Sequence, residues 1–133
     1  DALPVMVRIS ATDWVDGGWN LPQSIELCKQ LKALEIDLVD CSTAGLVADA
    51  VIPVAPGFQV SFATEIRNQA GITTGAVGLI TLPEQAEEII ALEQADVVSL
   101  ARELLRDPYW PMHAAQALGD DYPWPVQHER AKP

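Results

Sequence analysis

The chain has 133 residues, of which 49% are hydrophobic, and its 19 acidic against 8 basic residues give a net charge of −11. That length suits one domain with a real core, and the composition argues against disorder. The negative charge argues equally against nucleic acid and an anionic membrane surface as partners, because both call for a basic footprint.

The first strand is expected over Val5 to Ser10, with Arg8 inside an otherwise apolar run. A Gly- and Trp-rich loop, Asp13 to Asn20, leads to a helix from Leu21 to Glu35. The second strand, Asp37 to Ser42, precedes a long loop, Thr43 to Gln59, and a helix over Ser61 to Ala70. A short third strand, Thr74 to Val77, feeds a helix that opens with Thr81-Leu82-Pro83-Glu84 and runs to Gln94. Those four residues read as a capping box with Pro just inside the helix start. The fourth strand, Asp96 to Leu100, is followed by helical pieces at Glu103 to Arg106 and Tyr109 to Leu118. Residues 119–133, rich in Pro and polar residues, read as an irregular tail after a domain of residues 1–118.

The strands read as buried on both faces with helices between them, which predicts a parallel sheet. Four βα units starting about thirty residues apart fit βαβ architecture. Two closures are open: a small doubly wound sheet, or part of a (β/α)8 barrel, which takes ~250 residues in full. Long, chemically loaded loops follow strands one and two, whereas the connections before the strands are minimal, and this favours half a barrel.

No window approaches ~18 uninterrupted apolar residues, so no membrane span is expected. Asp1-Ala2-Leu3-Pro4 is not a signal peptide start, and lacking Met it reads as a piece of something longer. Cys28 and Cys41 read as buried free thiols of a cytoplasmic protein. His113 and His128 have no Cys or His partners at ligand spacing, so no metal site is expected.

The candidate chemistry lies after the strands. Arg8 calls for an anion, an electron-rich ligand or a structural ion pair with Asp40 on the next strand. Gly75-Ala76-Val77-Gly78 would let backbone approach a ligand closely. Arg102 stands at an expected helix start, poor company for the positive end of the dipole unless an anion sits there too. In the C-terminal half of a barrel, Gly78 and Arg102 would together hold a phosphate. Asp13, Trp14, Asp16 and Trp19 could line a substrate loop or simply pack it. Glu84, Glu87 and Glu88 read as a solvated helix face.

The segments "VRISATDW", "DLVDCSTAGLV", "PGFQVSFATEIRNQAG", "TTGAVGLIT", "ADVVSLARELLRDPYWP" and "PVQHERA" resemble, in this order, the Old Yellow Enzyme family. The likeness is to its bacterial branch of thermophilic-type ene-reductases and xenobiotic reductases, and covers the last four βα units of its barrel. The resemblance implies FMN as cofactor, NAD(P)H as hydride donor, an activated alkene as substrate, and a homo-oligomer. It also implies the N-terminal half of the barrel as a partner. Arg8 resembles the arginine beside the flavin's N1 and C2 carbonyl, the one catalytic role here. Gly78, Ala101 and Arg102 resemble the FMN phosphate cradle, and Ser42, Thr43 and Ala44 the segment passing near the cofactor. Arg130 resembles a C-terminal arginine that reaches a neighbouring subunit's active site. Two positions depart from the pattern: Ala101 and Ala44 stand where relatives carry Gly. The alternative reading is a non-catalytic, self-associating half-barrel that binds or supports. A third reading is a different phosphate-binding barrel enzyme.

Overall fold

A computed structural model describes residues 3–43 and 45–132. Four strands, β1 (Met6–Ser10), β2 (Leu38–Ser42), β3 (Thr74–Ala76) and β4 (Val97–Val98), form one sheet in the order β1-β2-β3-β4. Every pairing is parallel; Arg8 faces Asp40, Ser10 faces Ser42, and Ala76 faces Val98. Between and after the strands come α1 (Leu21–Ala33), α2 (Val60–Ala70), α3 (Pro83–Ala91), α4 (Arg102–Arg106) and α5 (Trp110–Ala117).

Side chains alternate across a strand, and here the alternation sorts cleanly. Val39, Cys41 and Ala76 join Ile25 and Cys28 of α1, Val60, Ala63 and Ile66 of α2, and Ile89 of α3 in one core. The first three helices therefore cover one face. Among the described residues, the opposite face, with Met6, Arg8, Leu38, Asp40, Ser42 and Val97, carries no helix layer. Met6 is 68% and Val97 43% exposed. The expectation that the strands are buried on both faces is thus corrected.

A doubly wound sheet reverses its strand order at a switch point and carries helices on both faces. Neither holds here, so sequential parallel strands with a one-sided helical layer are part of a (β/α)8 barrel.

Local sequence explains the helix limits. Asn20 caps α1: its side chain accepts from the Gln23 N–H at 3.2 Å, and Gln23 Oε1 accepts from the Asn20 N–H at 3.1 Å. This reciprocal pair is the capping box of the chain. The one expected at Thr81 is absent. Leu82 is the N-cap of α3 without a side-chain bond, and Gln85 Oε1 reaches back to the Thr81 N–H instead. In α2, Val60, Ala63, Ile66 and Ala70 recur at helical spacing as its buried stripe. Gly71 at φ 65° ends that helix in the left-handed region that favours glycine.

The tail is less irregular than expected, since Val126–Ala131 forms a 3-10 helix. It is fastened by an ion pair between Lys132 and Asp121, and by the Tyr109 and His128 rings edge to face at 6.1 Å.

Candidate functional site

The C-terminal ends of β2, β3 and β4 surround a cleft of about 270 Å³. Ser42, Gly78, Ala101 and Arg102, four of the residues expected to bind a cofactor, all line it, as does Thr43. Ala44, the next residue of that expected segment, lies outside the described residues. Arg8 and Arg130 are not part of the lining.

The cleft is built for close backbone approach. Gly78 takes φ 122°, and a Cβ there would lie 2.6 Å from Gln59 Nε2 and 3.1 Å from a Phe58 ring carbon. Only glycine fits, on conformational and on steric grounds. Leu79 follows at φ 50°, also in the left-handed region. Among the described residues, the N–H groups of Gly78, Leu79, Ile80, Ala101 and Arg102 meet no protein acceptor. Unpaired backbone donors are uncommon away from water; Gly78 and Leu79 are half-buried and Ile80 buried, whereas Ala101 and Arg102 are exposed, and all five residues line one cleft.

Arg102 adds a full charge. Among the described residues it forms no ion pair, whereas its neighbour Arg106 is paired with Glu103 at 2.5 Å. Ala101 adopts φ −112°, outside the left-handed region that favours glycine. Helix α4 spans only five residues, so the expected helix-dipole argument for Arg102 gives way to the open N–H groups and the guanidinium. Together these fit a phosphate, whose oxygens only accept.

Sequence reasoning missed Gln59, which is 4% exposed at the N-cap of α2. Its Oε1 accepts from the Thr43 N–H, from Thr43 Oγ1 at 2.8 Å and from Ser42 Oγ at 3.4 Å. Its Nε2 donates to the Val77 carbonyl at 3.0 Å. The signal available beforehand was only a polar residue next to the apolar stripe of a helix.

Arg8 is not buried. Its side chain is 57% exposed on the open sheet face, and its Nε lies 2.8 Å from Asp40 Oδ2, so the ion-pair alternative is present. The other carboxylate oxygen, Asp40 Oδ1, is buried without a partner. In the register, Arg8 lies one strand over and two residues down from Ser42, roughly 8 Å along the diagonal of a sheet. It therefore borders the cleft on the same face without entering it. Arg130 is exposed on the tail and, among the described residues, forms no ion pair.

The Trp-rich loop after β1 is packing rather than lining. Trp14 sits edge-on to Phe62 at 5.4 Å, and Trp19 Nε1 donates to Ser24 Oγ at 2.6 Å. Cys28 and Cys41 are fully buried free thiols. Burial pushes Cys28 up to about 11, and Cys41 to about 12 with smaller contributions from Cys28 and Asp40. Neither is a nucleophile at neutral pH.

With that geometry in place, known proteins decide the lineage. Residues 1–121 match the NADH:flavin oxidoreductase / NADH oxidase family. The chain belongs to that family. It is 53% identical over 128 residues to an NADPH dehydrogenase of Halalkalibacterium halodurans, 52% to one of Listeria monocytogenes and 51% to one of Bacillus velezensis. In each case the match takes in 96% of this chain but 38% of the relative, so the chain spans well under half the length of these curated relatives. Among the described residues, no helix is long and apolar enough to cross a membrane.

Proposed function

We propose that this chain is the C-terminal part of an FMN-dependent NAD(P)H oxidoreductase of the Old Yellow Enzyme type, close to its thermophilic-type bacterial branch. The observation that carries the reading is the cleft in which an unpaired Arg102 meets five unpartnered backbone N–H groups, in a member of a flavin oxidoreductase family. The chemistry that FMN supplies when bound is hydride transfer from NAD(P)H to the β-carbon of an activated alkene.

This chain's residues hold and tune the group. Arg102 and the N–H groups of Gly78 and Ala101 hold the phosphate, and Ser42 borders the path from phosphate to ring. Arg8, already on the open face, places positive charge beside the flavin's N1 and C2 edge, where reduction builds negative charge. The other half of the barrel covers the open sheet face, and Arg130 reaches from the tail into a neighbouring subunit. The two buried thiols suit a reducing, cytoplasmic compartment.

The test is a titration of the purified chain with FMN, followed by quenching of flavin fluorescence, alongside its mass in solution. Saturable quenching whose affinity falls sharply in Arg102→Ala supports the reading; no quenching at millimolar FMN sinks it for this chain.

A second reading has its own observation. The uncovered face and the unpaired edges of β1 and β4 also suit a self-associating half-barrel without catalysis. Colourless homodimers that bind no FMN would favour it.

A further inference from the structure

Gln59 is a buried amide that accepts at its oxygen and donates once from its nitrogen, and every partner lies at the cleft. Its oxygen takes both donors of Thr43, the N–H and the hydroxyl, and faces the Ser42 hydroxyl as well. Its nitrogen is bound to the carbonyl of Val77, the residue before Gly78. One side chain from α2 therefore ties the end of β2 to the end of β3, and closes the space a Cβ on Gly78 would need.

The tie has a chemical consequence. A hydroxyl has one donor and two acceptor positions. With its hydrogen directed at Gln59, Thr43 Oγ1 can offer only lone pairs to anything else in the cleft, and Ser42 Oγ, 3.4 Å from the same oxygen, is drawn the same way more weakly. The N–H groups beside Gly78 and Ala101, with Arg102, offer only donors. The cleft is thus polar in a directed way, donating at one side and accepting at the other.

We propose that Gln59 is a positioning residue that fixes this polarity, so that the Ser42–Thr43 rim accepts hydrogen bonds from polyol hydroxyls of a phosphorylated ligand while the opposite side grips its phosphate. The ligand half of this statement rests on the FMN reading above, in which the ribityl hydroxyls are the donors. The tie between the strand ends does not.

The experiment uses Gln59→Glu and Gln59→Leu in the whole chain. Glutamate has the shape of glutamine, but when ionised it presents an oxygen to the Val77 carbonyl. When protonated it can again donate there and accept from Thr43. The charged groups sharing the cleft are Arg102, Glu103 and Arg106, with Arg8 and Asp40 on the adjoining sheet face. The unmodified chain, titrated in parallel, removes their contribution. FMN affinity of Gln59→Glu should match the unmodified chain at pH 5.5 and fall relative to it by about tenfold at pH 8, as loss of a charge-sensitive hydrogen bond implies. Equal affinity of the two proteins at both pH values overturns the proposal.

Hydrogen exchange of the Thr43 amide supplies a readout without ligand. It should be protected in the unmodified chain and exchange freely in Gln59→Leu while Val39 and Cys41 stay protected. Unchanged Thr43 protection overturns the tie. If the unmodified chain binds no FMN, the cofactor reading and the ligand half fall together, and Thr43 exchange still decides the tie.

Discussion

Arg67 and Arg102 stand at opposite ends of the same parallel sheet, in opposite circumstances. Arg67, in the last turn of α2, donates its Nε to Asp96 Oδ1 at 3.0 Å and lies 3.8 Å from Glu93. Asp96 is itself engaged twice more: its Oδ2 accepts from the Thr74 N–H, and its own N–H donates to the Thr74 carbonyl, both at 2.9 Å. Arg67 thus completes a closed network at the entry to β3 and β4. Arg102, just past β4, has no such partner among the described residues and stands beside unpaired N–H groups. Satisfied polar groups stabilise a fold, whereas polar groups left open at a cleft are available to a ligand. The two ends divide those tasks, as barrels do between their N-terminal and C-terminal faces.

Substitutions at either end can break or sharpen that division. The largest effect is expected from Gly78→Ala, which must clear Gln59 and hold a strained backbone. Urea denaturation should show a loss of about 3 kcal/mol, and a stable variant would contradict the packing described. Arg102→Ala should next weaken FMN binding about 50-fold, as removal of a charge-assisted bond to phosphate does. Its melting temperature should stay unchanged, because among the described residues the side chain forms no ion pair.

The opposite end should respond inversely. Asp96→Ala leaves the Thr74 N–H and Arg67 without their acceptor, a loss of about 2 kcal/mol in stability, with FMN affinity held within twofold in a fluorescence titration. A loss of affinity there would mean the two ends are coupled.

The smallest effect concerns the thiols. Their folded values, about 11 and about 12, lie above the ordinary 9.0, so above pH 9 the unfolded chain sheds these protons first. Their contribution to stability is complete below pH 9 and declines as pH rises through 11 to 12. By pH 10 the loss is about 1 kcal/mol per thiol. Urea titrations at pH 8 and pH 10 should show about half that pH-dependent loss in Cys41→Ala.

The sequence carried the units of the barrel well, because strand and helix periodicities are local and its short loops sit before the strands. It also brought Ser42, Gly78, Ala101 and Arg102 to one place, since residues that follow successive parallel strands must converge at one end of a sheet. What it could not carry was the state of Arg8. The same side chain is buried in a covered sheet and exposed on an uncovered one, and coverage depends on residues outside the strand. Gln59 was equally hidden: its partners lie 16 to 18 positions away in both directions, and its polarity suggests a helix surface.

The loop after β1 has a neck that outlasts its contents. The Asp13 N–H donates to the Trp19 carbonyl at 2.9 Å, and Asp13 Oδ2 accepts from the Trp19 N–H at 2.8 Å. Ser24 then links the Trp19 indole to the Ala11 carbonyl. Between the two sides of that neck, Val15, Asp16 and Gly17 are exposed, and a Cβ on Gly17 would touch nothing. New residues inserted there would not shift β1 or α1, since lengthening a closed loop costs little. At the working end of the sheet, this is a place where such a barrel can acquire a longer rim, and with it a different guest, while its frame stays as it is.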